Sequence, residues 1–149
     1  MGKPASNPAG PTASPPTAPQ TAGFRRTRED HARETAEDYV EAIAQLADDD
    51  GQCRVRDLAA RLGVSHVTVI RVVNRLTEQG LVSTEPYKPL RLTKRGQRLA
   101  EACAERHAAV VAFLLKLGVD ERTAAIDAEG IEHHLSEATL RAMRAFTRG

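Results

Sequence analysis

Between Phe24 and Asp49 no proline or glycine interrupts the chain, and Tyr39, Val40, Ile43 and Leu46 recur at helical spacing. This predicts a first helix, for which Gly51 offers a stop. Leu58, Ala59 and Leu62 mark a second, short helix that Gly63 turns. Ser65 then caps a third helix carrying Val69, Val72, Val73 and Leu76 on one face, and Gly80 ends it. The pattern changes at residues 81–92, "LVSTEPYKPLRL", where two short β-prone pieces flank a proline-bounded turn, the mark of a small hairpin. Thr93 caps a long helix to about Leu117, with Leu99, Ala102, Val110, Phe113, Leu114 and Leu117 among its apolar positions. After Gly118, Asp120 starts a helix that carries "AEGIEHHL" (128–135), and Ser136 caps a last one. No internal repeat is visible. The pattern describes a mainly α chain: an N-terminal winged helix-turn-helix with a small β-hairpin wing (23–92, including the long first helix), then a helical C-terminal half (93–149).

Residues 1–22, "MGKPASNPAGPTASPPTAPQTA", contain almost no large apolar side chain and are expected to form a disordered tail. Of the 149 residues 41% are hydrophobic but only 3% aromatic, so Val, Leu, Ile and Ala must build the core, which favours helices over an aromatic-rich sandwich. Cys53 and Cys103 have neither the number nor the spacing of a disulfide framework or a zinc ribbon. There is no run of roughly 18 apolar residues and no leader pattern, so a cytoplasmic chain without membrane partners is expected.

Charge is distributed in blocks. Residues 23–53 hold four basic and nine acidic side chains (net −5), 54–98 hold ten and three (net +7), and 99–149 hold six and eight (net −2). A basic block between two acidic ones points to a polyanion-binding module flanked by something that handles cations. Within the basic block, Ala59, Gly63, Val64, Val69 and Val72 fill the packing and turn positions of a helix-turn-helix. Its second helix then turns His66, Thr68, Arg71, Asn74 and Arg75 outward, with Arg71 the candidate guanine reader and Arg75 a candidate phosphate contact. In the hairpin, Lys88 and Arg91 are placed for a phosphate or the minor groove.

In the acidic parts, Glu129, Glu132 and His133 stand at i, i+3 and i+4, so a helix would put them on one face. Asp38 and Glu41 share a face of the first helix, and His107 sits mid-helix among apolar positions. Each has an ordinary alternative, a solvated face for the carboxylates or a satisfied core histidine for His107. Together they offer four carboxylates and two imidazoles, the donor set of a divalent metal site.

"EDYVEAI" (37–43), "RLGVSHVTVIRVVNRL" (61–76), "ERH" (105–107) and "DAEGIEHHLS" (127–136) together resemble the manganese-regulator branch of the diphtheria-toxin-repressor family. The likeness runs in order from about residue 24 to 147. It implies a homodimer that binds double-stranded operator DNA when loaded with metal, with residues 93–149 as the dimerisation and metal-binding domain. It also implies that Asp38, Glu41, His107, Glu129, Glu132 and His133 are the ligands. Iron-responsive relatives use sulfur where this chain has Asp38 and Glu129, so hard oxygen donors point to Mn2+, the divalent ion that raw affinity favours least. Four carboxylates neutralise two such ions, so two per subunit are expected. Cys103, one turn before His107, is expected to be a small buried side chain.

The expected action is a metal-gated repressor of manganese transport genes. Without metal the carboxylates repel and the first helix is loosely held. With metal, the recognition helices come nearer the roughly 34 Å spacing of successive major grooves. A regulator of the same family answering to iron or zinc is the nearest alternative. A metal-dependent hydrolase is the other class, since Glu and His around two metals can activate water, but there is no HExxH-like signature.

Overall fold

The computed structural model describes residues 18–149, in the order α1 (Ala18–Leu46), α2 (Val55–Leu62), α3 (His66–Glu78), β1 (Val82–Ser83), β2 (Arg91–Leu92), α4 (Lys94–Lys116), α5 (Glu121–Ile131), the 3-10 turn η1 (Glu132–His134) and α6 (Glu137–Arg148). The chain divides after Ala32: the leading part of α1 forms one unit, and Arg33–Gly149 forms the other, which holds the rest of α1, the winged helix and the C-terminal helices. The tail expected over 1–22 lies outside the described residues up to residue 17. At 18–22 the expectation is corrected, because α1 begins at Ala18. Pro19 falls in its first turn, where a missing N–H costs nothing.

The helix ends obey local chemistry. Ser65, Thr93, Asp120 and Ser136 each accept a backbone N–H from three residues on, from Thr68, Gly96, Thr123 and Thr139. Gly63 takes the left-handed conformation (φ 65°) that turns α2 into α3.

One apolar core joins α1 to the winged helix. Val40 and Ile43 of α1, Leu58 of α2, Val69 and Leu76 of α3, Val82 of β1 and Leu90 ahead of β2 are all essentially inaccessible. Each such side chain contributes about 1.5–3 kcal/mol on leaving water. β1 and β2 pair antiparallel with Val82 opposite Leu92 and Ser83 opposite Arg91. Cys53 extends the pairing, exchanging backbone hydrogen bonds with Leu90 (2.9 and 2.7 Å).

α4 carries the chain from the wing into the C-terminal half, where it packs against α5, η1 and α6. Ala124 and Ala128, one turn apart on α5, are fully buried, and their size lets two helix backbones approach closely. The junction with the wing is tight. Thr93 Oγ1 donates to Gly80 O (2.7 Å), and a Cβ on Gly96 would lie 2.1 Å from Leu81 O.

Candidate functional site

The "AEGIEHHL" segment does not continue as one α-helix. α5 ends at Ile131 and the chain tightens into η1 over Glu132–His134, because Ser136 must be free to cap α6. The three side chains expected on one helical face therefore differ sharply. Glu132 and His133 are buried (1% and 5% exposed), and Glu129 stays at the exposed rim.

Two clusters meet at Glu132. A 2.6 Å hydrogen bond joins Glu132 Oε2 to His107 Nδ1, and Glu129 Oε1 lies 3.9 Å from the same nitrogen. The ligating atoms of His107, Glu129 and Glu132 all fall within 4.8 Å of one another. On the other side, His133 Nε2 is 3.7 Å from Glu132 Oε1 and 3.2 Å from Asp38 Oδ1. Glu41 lines the same cavity of about 630 Å3, together with Asp38, His107, Glu129 and His133.

The charges are poorly compensated. Burial pushes the Glu41 carboxyl up to about 7, with Glu132 and Glu129 adding to the rise. Burial likewise raises Asp38 and Glu132, although the imidazoles oppose it. For His133 burial works downward, but Glu37, Asp38 and Glu132 around the ring outweigh it, so the net shift is upward. Glu132 Oε1 is buried without any hydrogen-bond partner. An unpartnered carboxylate oxygen among further carboxylates and two imidazoles fits a divalent cation, which would supply the missing positive charge.

Glu37 was not foreseen. It is 5% exposed, and one of its oxygens, Oε2, receives both His133 Nδ1 and Arg106 Nη2 at 2.7 Å. In "EDYVE" the sequence shows only another acidic residue at the turn of Asp38 and Glu41; its inward direction depends on where α4 and η1 lie. Cys103 is fully buried, as expected, with its thiol pushed up to about 12 by burial, and it lies 3.3 Å from Arg106 Nη2. His134 is exposed.

On the basic side, His66, Arg71, Asn74 and Arg75 are exposed on α3. Thr68, expected outward as well, is tied to the helix cap. It is half-buried, with Oγ1 3.0 Å from Ser65 Oγ, because the third residue of a capped helix is drawn to its cap. Val67 and Ile70, 66% and 50% exposed on the same helix, are further outward side chains, and nothing in their residue type signals that direction. Arg91 is exposed on β2, and Lys88 pairs with Glu85 across the wing turn.

A basic winged helix whose first helix also carries carboxylates of a metal-suited cluster defines a class of protein, the metal-dependent DNA-binding regulator. Comparison with known proteins agrees. Residues 31–90 match the family described as iron dependent repressor, N-terminal DNA binding domain, and residues 93–148 match the iron dependent repressor metal binding and dimerisation domain. The chain is 50% identical over 125 residues to the transcriptional regulator MntR of Escherichia coli O157:H7, covering 84% of this chain and 81% of that protein. Against the MntR of Salmonella typhimurium it is 48% identical over 125 residues, covering 84% and 80%. Among solved structures, a manganese-dependent transcriptional repressor in complex with manganese aligns with TM-score 0.67 and 33% identity, over 76% of this chain and 52% of that one. The chain belongs to the iron-dependent repressor family, which is the diphtheria-toxin-repressor family its motifs resemble. It is a transcriptional regulator with a DNA-binding and a metal-binding, dimerising half, and not an enzyme, which removes the hydrolase reading.

Proposed function

We propose that this protein is a manganese-responsive repressor that binds operator DNA as a homodimer when Asp38, Glu41, His107, Glu129, Glu132 and His133 hold two Mn2+ ions per subunit. The observation that carries the reading is Glu132: a carboxylate 1% exposed, set between the two imidazoles, with one oxygen lacking any hydrogen-bond partner. The oxygen-rich donor set supports manganese over softer ions, since Cys103 keeps its proton and its sulfur lies against Arg106. The names of the relatives point the same way.

Bound metal supplies positive charge that offsets four mutually repelling carboxylates. The consequence for DNA comes through α1. Asp38 and Glu41 face the cluster, while Val40 and Ile43 of the same helix are buried in the winged-helix core. Fixing the first pair against Glu129, Glu132, His107 and His133 therefore fixes the orientation of α2 and α3. Affinity for DNA rises because less ordering remains to be done on binding. His66, Arg71, Asn74 and Arg75 face the groove, Lys88 and Arg91 reach the flanking duplex from the wing, and Thr68 serves mainly the cap. Leu115, Leu117, Ile126 and Phe146 leave apolar surface on the C-terminal half, which supports pairing of two subunits there. Transporters of manganese are the proposed target genes.

A gel shift on a candidate operator with and without manganese, beside arms with iron and zinc, tests the reading. Manganese is expected to tighten binding; equal affinity in its absence refutes gating. An effect of zinc or iron alone assigns the protein to another metal.

A further inference from the structure

Building on the proposed metal site, we infer that Glu37 and Arg106 are positioning residues that set the tautomer and ring orientation of His133. Neither is in the proposed ligand set. Glu37 comes from α1, Arg106 from α4 and His133 from η1, so the three hold together the elements that supply the ligands.

A single oxygen sets the arrangement. Glu37 Oε2 accepts from Arg106 Nη2 at 2.7 Å, so the lone pairs of that oxygen are directed at donors. His133 Nδ1 meets the same oxygen at 2.7 Å, and it must therefore present N–H. A neutral imidazole with its proton on Nδ1 carries its lone pair on Nε2. That nitrogen is the one facing the cluster, 3.2 Å from Asp38 Oδ1 and 3.7 Å from Glu132 Oε1. Arg33 Nη2 reaches the His133 carbonyl at 3.3 Å and adds a second tie between α1 and η1.

Burial makes the arrangement specific. The side chains of His133 and Glu37 are 3% and 6% exposed, and that of Arg106 is 19%, so solvent offers the ring no competing acceptor. Arg106 is backed in turn by Cys103 Sγ at 3.3 Å, a protonated thiol that is a weak acceptor. This gives the buried cysteine a place beside the site without making it a ligand. The brace also alters the picture of a loose first helix, because α1 is tied to α4 and η1 by the protein's own ion pair. Asp38 and Glu41 are what remain to be drawn in.

Second-sphere carboxylates that orient a ligating histidine typically change metal affinity by about 10–100-fold when removed. The test compares wild type, E37A and E37Q in the full chain, measuring manganese affinity by titration and the His133 ring nitrogens by 15N NMR in the metal-free protein. NMR is done on the neutral ring. Wild type is expected to hold the proton on Nδ1. E37A is expected to show a mixture of tautomers and to bind manganese about 10–100-fold more weakly. E37Q keeps a carbonyl oxygen that accepts from Nδ1, and is expected to restore the tautomer and most of the affinity. If E37A does not fold, E37L/R106L replaces the buried pair with apolar volume and must show the same tautomer mixture and weakening. Unchanged affinity in E37A, weaker binding with the wild-type tautomer, or E37Q no better than E37A would each overturn the inference. Wild type taking up no manganese overturns the proposed site itself.

Discussion

Raising the pH through neutrality is expected to tighten manganese binding by tenfold or more. Glu41, pushed up to about 7, must lose its proton before it can serve as a ligand. Its ionised fraction rises from about one tenth at pH ~6 to about nine tenths at pH ~8, so this residue alone supplies a factor of about ten. His133, raised above 6.5, steepens the dependence. The metal-free protein should show the reverse trend. For Glu41 the folded pKa lies above the ordinary 4.5, so its contribution to stability is full below that value and is lost as pH rises to about 7. His133, raised above 6.5, acts in the same direction, its contribution being lost as the pH rises beyond that ordinary value. Metal-free protein should therefore melt at lower temperature as the pH rises, and added manganese should stabilise it most on the alkaline side. Titration calorimetry in two buffers of different ionisation enthalpy counts the protons released. About one proton or more is expected per subunit near pH 6, declining toward pH 8. Affinity that is flat across this range, with no proton release, refutes the assignment of these groups as ligands.

Gly96→Ala sets helix propensity against packing. Alanine is worth about 1 kcal/mol more than glycine inside a helix, but here its Cβ would lie 2.1 Å from a backbone oxygen, and overpacking of this kind costs about 1–3 kcal/mol or more. Net destabilisation is expected, and a melting temperature at or above wild type would contradict the geometry. Arg71→Ala should weaken operator binding by about 1–3 kcal/mol and relax preference at one base pair, whereas Arg75→Ala should weaken all sequences alike and reduce the salt dependence by about one ion. Binding across a half-site library and a salt series separates the two, and identical behaviour denies the division of roles. Glu129→Cys, at an exposed rim position, should move preference toward zinc with little loss of stability; an unchanged order of manganese, iron and zinc affinities counts against selection by oxygen donors. Tyr87→Gly should stabilise the fold by up to about 1 kcal/mol, because the tyrosine holds φ 62° at the wing tip and is fully exposed. A lower melting temperature would show that the ring makes a stabilising contact.

The elements whose signals are local were legible in the chain. Ser65, Thr93, Asp120 and Ser136 cap helices because each needs only a backbone three residues away. Val69, Val73 and Leu76 are buried because the periodicity of one helix defines its inner face. Failures fall where a distant element decides. Ala102 of α4 and Leu117 just past its end, expected on the apolar side, are exposed, since what covers a residue of a long helix depends on where α5 and α6 return. The 3-10 turn was invisible for a related reason. Glu129, Glu132 and His133 satisfy helical spacing perfectly well, but the start of α6 at Ser136 sets the geometry of the last turn before it.

Glu37 shows why a metal site is only half readable from ligand-type residues. Asp38, Glu41, Glu129, Glu132 and the two histidines were chosen by chemistry, as oxygen and nitrogen donors, and that criterion cannot rank one acidic residue of "EDYVE" above its neighbour. Burial does rank them. Glu37 sits inside with Arg106 and His133 Nδ1 on one oxygen, while Asp38, its side chain 46% exposed, reaches Nε2 of the same ring from the other side. Adjacent residues on one helix point about 100° apart, so they meet the imidazole at its two opposite nitrogens. One holds the ring, and the other is proposed to share a metal with it. This division of labour between neighbours needs α4 to supply the arginine, which is why it emerges only once Arg106 reaches Glu37 of α1.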